Sequence, residues 1–290
     1  MQGSASWIRQ PQERTIASRT IRPHIRGAVF GCLLLGTAAT SGVAQVEALP
    51  RLRFNVVVVF ARLETSIRYD FGDGIIGVRV DFESNLGLEQ YQTLPALIAT
   101  FRVGGRHHII GAYYELRRTG SKRLEVDIPL PDTTFTIGTT VESFFSTRVL
   151  TLGYGYSLLQ TPTSSITPYV ALYLADWEAG IGKTQGILAP ARGDISLIAP
   201  LPMIGTVVHS AIASRLFIMG NLGLFFLRVG DYEGSIIEIN AQLAYQLFPF
   251  LRIGGGYTAF AVDVKATAPD FRGEVRYKFD GPSLSASVSF

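Results

Sequence analysis

The sequence predicts an all-β chain, a transmembrane antiparallel up-and-down β-barrel of about ten strands, with eight to twelve permitted. Three observations predict it. Stretches of the chain alternate apolar and polar residues with a period of two, as strands with one apolar face do. The connections between these stretches alternate in length, short then long. Apolar residues make up 47% of the chain, yet beyond the N-terminal region no apolar run reaches the roughly 18 to 20 residues a membrane-spanning helix needs. Only 17% of residues are charged, but the apolar content is too high for a disordered chain. The 30 Gly, 18 Phe and 12 Tyr suit close strand packing and aromatic girdles.

The N-terminal region reads as an export leader. Residues 1–26 are polar and Arg-rich, GAVFGCLLL (27–35) is an apolar core, and the small-residue stretch TAATSGVAQ follows. Cleavage is expected after Ala44, with Gly42 and Ala44 at the small-residue positions; Ala48 is the second choice. An uncleaved anchor is one rival. A lipoprotein signal on Cys32 is another, but Phe30 is bulky for it and the preceding apolar run is short. The expected organisation is a leader over 1–44 and a barrel over 45–290.

The leader also explains the charge. It holds Arg9, Arg14, Arg19, Arg22 and Arg26 against Glu13 alone, so totals of 26 basic and 23 acidic residues fall to 21 and 22 without it. The basic pI of about 9.0 therefore reflects the leader, and no basic stripe remains for nucleic acid. Cys32 is the single cysteine, so a mature chain has no disulfide and no thiolate chemistry.

Ten strands are expected at about 53–69, 93–104, 107–118, 138–159, 167–182, 197–213, 215–229, 235–248, 251–264 and 270–290. In the eighth, Ile237, Ile239, Ala241, Leu243, Tyr245 and Leu247 share one face, with Glu238, Asn240, Gln242 and Gln246 opposite. In the fourth, Leu150, Leu152, Tyr154, Tyr156 and Leu158 oppose Thr151, Gly153, Gly155 and Ser157. In the third, Ile110, Ala112, Tyr114 and Leu116 oppose Gly111, Tyr113, Glu115 and Arg117; in the second, Leu97, Ala99, Phe101 and Val103 oppose Thr100 and Arg102. Short turns are expected at 104–106, 161–165, near Ser214 and at Pro249-Phe250. Longer outer stretches are expected at 70–92, 119–135, 183–196, 230–234 and 265–269. Residues 74–83 read as a hairpin arm of the first outer loop; if they crossed the membrane, the count would be twelve. In the last strand the apolar set moves from odd positions (Val275, Tyr277, Phe279) to even ones (Leu284, Ala286, Val288, Phe290). A β-bulge at Gly281-Pro282 is the simplest expectation, with strand breakage as the alternative.

Two resemblances add to this. The ending LSASVSF, with Leu284, Ala286, Val288 and Phe290 alternating to a terminal Phe, resembles the signal by which the barrel-assembly machinery recognises its clients. RLETSIRYD, TLPALIATFRVGGRHHIIGAYYELRRTGSKRLEVDI, DTTFTIGTTV, LTLGYGYSLL, APLPMIG and DFRGEVRYKFDGPSLSASVSF resemble segments of a widespread group of uncharacterised proteobacterial outer-membrane β-barrel proteins, over most of residues 63–290. The resemblance implies an outer-membrane barrel and carries over no catalytic residue.

Candidate sites are few. His209-Ser210 suggests half of a Ser–His hydrolase, but neighbours on a strand face opposite ways and cannot pair. His107-His108 lacks a third metal ligand. Asp70, Asp73, Asp132, Asp231 and Asp263 lie at outer loops without Ca²⁺-ligand spacing. Trp177, Tyr173 and Tyr169 share a face and read as an interfacial belt. Gly153, Gly155, Gly254 and Gly256 read as close-packing positions. The stretch GIGK (180–183) lacks P-loop spacing. Glu115, Arg117, Glu142, Arg148, Glu238, Arg252, Arg272, Glu274 and Arg276 are expected to point inward and fill the lumen by pairing, because a barrel of this size is barely wider than its side chains.

The expected protein is thus a monomeric, non-enzymatic outer-membrane barrel, exported by a cleaved signal. Its partners would be membrane lipid, lipopolysaccharide and the assembly machinery, with no nucleic acid and no cofactor. A small pore is the alternative, and a membrane-embedded lipid or peptide hydrolase the second.

Overall fold

The computed structural model describes residues 50–71, 76–129, 134–183, 193–268 and 271–290. The leader, its cleavage site, Asp73 and Asp132 lie outside them, as does the long connection at 184–192. Ten long strands form the barrel: β1 (Leu52–Phe71), β2 (Tyr91–Val103), β3 (His107–Arg123), β4 (Thr140–Tyr156), β5 (Ser164–Lys183), β6 (Gly193–Ala213), β7 (Leu216–Val229), β8 (Tyr232–Phe248), β9 (Leu251–Ala268) and β10 (Phe271–Ser289). Each pairs antiparallel with its sequence neighbours, and β10 pairs with β1, so the sheet closes with no free edge.

Both ends of the described chain lie at one end of the barrel, here the near end. Arg51 and Leu52 donate backbone N–H to the Phe290 carbonyl at 2.8 and 3.1 Å, and Phe290 donates to Leu52 at 2.8 Å. Three near-end connections are short, at 104–106, 214–215 and Pro249-Phe250; the fourth spans 157–163, longer than the turn expected at 161–165, because Leu159 and Gln160 pair back onto Ile166 and Ser165. The far end differs from expectation in two places. Residues 265–268 are not a longer loop but strand, pairing with residues 271–274 of β10. Residues 230–234 are not a longer loop but part of a two-residue hairpin at Gly230-Asp231, where Gly230 takes φ +55°. The arm Ile76–Asp81 folds back on β1, pairing Ser66 with Asp81 through Phe71 with Ile76, so it does not cross the barrel. After it, a short helix (Phe82–Leu86) ends at Gly87, whose φ is 73°.

The strands run from 13 to 21 residues, longer than the ~9–11 that crossing a bilayer requires. Polarity reverses along them at a common level. In the near half the outward face is apolar: Phe54, Val56 and Phe60 on β1, Leu150 to Tyr156 on β4, Leu243 and Tyr245 on β8, Leu284 on β10. There the inward face is polar, with Arg53, Asn55, Thr167, Gln242, Thr258, Ser283 and Ser287. In the far half, the outward positions become Arg62, Glu64, Glu115, Arg117, Arg148, Arg276 and Lys278, all exposed, and the inside becomes Leu63, Leu116, Phe145, Trp177, Tyr277 and Phe279.

This reversal accounts for the parity change in the last strand. β10 keeps one register throughout. Ser283 faces Val59 and Asp280 faces Arg62 on one side; Pro282, Gly281 and Asp280 face Tyr257, Thr258 and Ala259 on the other. No residue is inserted at Gly281-Pro282, and the strand does not break. Odd positions stay inside from end to end; what changes is the surroundings. Gly281 instead serves close approach. A Cβ there would lie 2.0 Å from the Phe60 carbonyl oxygen, and one at Gly256 would lie 2.0 Å from that of Ala241. Gly281→Ala is expected to destabilise the barrel by about 1–3 kcal/mol through backbone displacement. Gly105→Ala, with nothing within 4 Å of its Cβ, should leave the guanidinium unfolding midpoint unchanged.

Candidate functional site

The candidate site lies in the lumen, which has two parts. In the far half it is filled. Tyr173 and Phe260 stack at 5.4 Å, Phe260 and Phe279 at 5.3 Å, and Phe145 and Tyr277 at 5.7 Å; Tyr114 meets Phe279 edge-on at 6.1 Å. These rings come from β3, β4, β5, β9 and β10, so they reach across the barrel rather than along one wall. These inward positions bury aromatics where ten strands leave little more room than side chains need. Tyr114 and Tyr173 also share a hydroxyl hydrogen bond of 2.6 Å.

Above this septum the helix Phe82–Leu86 turns into the barrel mouth. Phe82, Leu86 and Leu88 are buried, and Phe82 meets Phe145 edge-on at 5.7 Å. A fully buried cation clamps the helix. Arg118 donates to Glu83 Oε1 at 2.6 Å, to Thr65 Oγ1 at 2.5 Å and to the Glu89 carbonyl at 3.2 Å; Glu83 Oε2 accepts the Thr65 N–H at 2.9 Å. The Arg118 guanidinium lies 5.4 Å from the centre of the Phe145 ring. Next to it, burial holds the Tyr277 phenol well above its ordinary pKa, so it stays protonated. Arg118 carries no signal in the sequence beyond being the second member of an Arg-Arg pair.

Below the septum lies a cavity of about 320 Å³. Its lining runs from Pro50, Arg53, Arg102, His108 and Gln160 at the near rim to Tyr114, Tyr173, Phe260 and Phe279, where it stops. His209 projects into it and meets Arg53 Nη1 at 3.1 Å. His108 Nε2 meets Ser157 Oγ at 2.8 Å, and Ser157 meets Thr167 at 2.9 Å.

Most of the charges expected in the lumen lie elsewhere. Glu238 and Arg252 do point inward: Glu238 accepts from Asn221 Nδ2 at 2.9 Å, and Arg252 stacks 4.0 Å from the centre of the Phe217 ring. Glu115, Arg117, Glu142, Arg148, Glu274 and Arg276 sit on the outward face, because these strand segments lie beyond the polarity reversal. There they form part of an external collar. Arg148 bridges Glu115 and Asp176 at 3.9 and 3.8 Å. Glu274 lies between Arg79 and Arg276 at 3.3 and 2.5 Å, and Arg276 also reaches Asp263 at 2.8 Å. Arg117 lies over the Phe144 ring. Glu142 is exposed, and the Arg272 side chain lies outside the described positions.

Other expectations sort similarly. Tyr169, Tyr173 and Trp177 share a face, as the sequence indicates, but it is the inner one, and all three are buried. Their outward neighbours Val170 and Leu172 are also apolar, so the pattern alone did not tell inside from outside. His107 and His108 point to opposite faces. His107 joins Tyr154 at 2.6 Å and packs on Tyr156 in the outer girdle. Ser210 faces away from His209 and pairs with Ser164 at 2.9 Å. Among the described residues no cluster of three or more His, Cys, Asp or Glu could hold a metal, and no helix is long and apolar enough to cross a membrane. Leu284 and Ala286 face outward and Phe290 is exposed at the β1–β10 seam.

No protein-family model matches the chain, and no curated protein matches it. Solved structures do. The outer-membrane protease OmpT of Escherichia coli aligns over 85% of this chain and 100% of its own, at 9% identity and a TM-score of 0.52. The translocator domain of the autotransporter NalP from Neisseria meningitidis aligns over 83% and 89%, at 9% identity and a TM-score of 0.44. The attachment invasion locus protein Ail of Yersinia pestis aligns over 82% and 99%, at 8% identity and a TM-score of 0.34. The OmpT likeness shows a shared barrel fold; at that identity it is silent on activity.

Proposed function

We propose that this chain is an integral barrel of the bacterial outer membrane whose lumen is closed to ions and solutes, and whose role is structural or lies in surface interactions of its far end. The observation that carries the closed reading is the aromatic septum of Tyr114, Tyr173, Phe260 and Phe279, roofed by the Arg118-clamped helix. The girdle of exposed apolar side chains around the near half supports membrane insertion, since a water-soluble barrel exposes no such belt. Short near-end turns support a periplasmic near end, with the charged collar facing outward among lipopolysaccharide headgroups. The leader is removed after Ala44, and the alternation ending at Phe290 serves the assembly machinery. The barrel works as a monomer, since closure leaves no edge to pair.

The test is planar-bilayer conductance of purified protein shown to be folded by heat-modifiable gel mobility. The wild type is expected to give no single-channel steps. Steps from the wild type would overturn the closed reading and establish the pore. A Phe260→Ala/Phe279→Ala variant, with two septum rings removed, is expected to show brief openings. A hydrolase has no comparable observation in its favour, since His209 and Ser210 lie on opposite faces.

A further inference from the structure

The near-half cavity has two unlike walls. On the β1–β3 side it is apolar, with Val57, Val59, Leu94, Ala96, Ile98 and Ile110. On the β5–β10 side the polar groups satisfy one another. Tyr169 donates to Asn221 at 3.0 Å, Asn221 to Glu238 at 2.9 Å, Asn240 to Thr258 at 2.7 Å, and Ser285 to Gln242 at 2.8 Å. That wall needs no ligand. At the rim, Arg53 and Arg102 come from adjacent strands, joined by His108 and His209.

The charge around this rim is one-sided. The near ends of the strands and the turns between them carry Arg51, Arg53, Arg102, Arg106, Arg215 and Arg252. Among the described residues at that end there is no Asp or Glu; Glu238, paired with Phe260 of the septum, is the acid that lines the cavity, at its deep end. Asn55 adds a second sign. It lines the cavity next to Arg53, is nine-tenths buried, and its amide oxygen has no hydrogen-bond partner. Buried polar atoms are rarely left so; this oxygen is an acceptor, so it would meet the water shell of a bound head and not its anionic oxygens.

We propose that this cavity binds a single-chain anionic amphiphile, its acyl chain laid against the β1–β3 wall and its carboxylate or phosphate head held by Arg53 and Arg102 at the near rim. The chemistry follows from the parts. A guanidinium fork matches a carboxylate or phosphate edge with two parallel hydrogen bonds, and two such forks in a partly dry site favour one anionic head. An apolar blind chamber above it takes an apolar body and rejects a fully polar solute. Glu238 at the deep end disfavours an anion there, so the head lies at the rim and the tail points to the septum. The rim faces the periplasmic side, where a lipid-derived acyl anion would arrive. The inference goes beyond the closed-lumen reading, though both need a folded barrel.

Calorimetric titration of the purified protein in nanodiscs tests it, with empty nanodiscs subtracted. Decanoate, decanol and inorganic phosphate are the probes. Decanoate is expected to bind saturably, one per barrel, and decanol and phosphate at least ten-fold more weakly. Arg53→Gln/Arg102→Gln should weaken decanoate at least ten-fold, and Ala96→Phe, which fills the chamber, should abolish binding. Arg215→Gln, outside the cavity, should leave it unchanged. Heat-modifiable mobility of every variant separates lost binding from lost folding. No saturable decanoate binding, or binding unaffected by Ala96→Phe, would overturn the proposal, as would phosphate binding as tightly as decanoate. Conductance steps in the same preparation would instead overturn the closed lumen, so the two failures are distinguishable.

Discussion

Replacing Arg118 with alanine is expected to cost the folded protein about 3–5 kcal/mol, the usual result of breaking a buried ion pair from one side. The guanidinium is fully buried and its three acceptors come from three places: the lid helix through Glu83, β1 through Thr65, and the segment before β2 through Glu89. Without it, Glu83 keeps only the Thr65 N–H, and a cavity opens beside Phe145 and Tyr277. Guanidinium unfolding of the refolded protein reads the loss directly. The paired variant Arg118→Met/Glu83→Leu is the informative control. Removing both charges spares the orphaned carboxylate, and much of the loss should return. If Arg118→Ala unfolds at the wild-type midpoint and its far end resists protease equally, the clamp contributes nothing and the lid is held by packing alone.

The second large effect concerns the outward face. Leu243 lies midway along the apolar girdle of β8, and Leu243→Arg is expected to cost about 2–4 kcal/mol for a barrel folded in lipid vesicles. The same face behaves oppositely beyond the polarity reversal. Lys278 is exposed there and contacts Glu64 at 3.4 Å, so Lys278→Leu should shift the midpoint little. Equal penalties at the two sites would mean that the girdle does not mark the bilayer, and that the near half sits in water or against another protein.

The contrast between these two sites explains what the sequence could show. Period-two alternation names two faces but not which of them is inside. Where one face is plainly polar, as in Glu238, Asn240 and Gln242 against Ile239 and Leu243, the assignment is correct, and the number of strands and the folded-back arm follow. Several strands still run four or five residues further at the far end than the alternation predicts. Where the strand leaves the bilayer, water replaces lipid outside and the same alternation reverses its meaning. The alternation rule puts Glu115, Arg148 and Arg276 inside, and it holds only within the girdle. It puts Tyr173 and Trp177 outside because both faces of their strand are apolar. A better signal was present. The change of parity in β10 and the appearance of Arg62 and Glu64 after Phe60 in β1 fall at one level, and a boundary shared by adjacent strands marks a surface rather than a bulge.

The β1–β10 seam also constrains timing. Arg53 lies opposite Ser289, 236 residues later in the chain, and every other pair of that seam is nearly as distant. β1 is made early by the ribosome but meets its second neighbour only when the final residues have been synthesised. Until then any partly assembled sheet presents two unpaired edges, which invite pairing with other chains. Such a polypeptide gains from being kept extended until it is whole, and a chain shortened before β10 would have no closed state to reach.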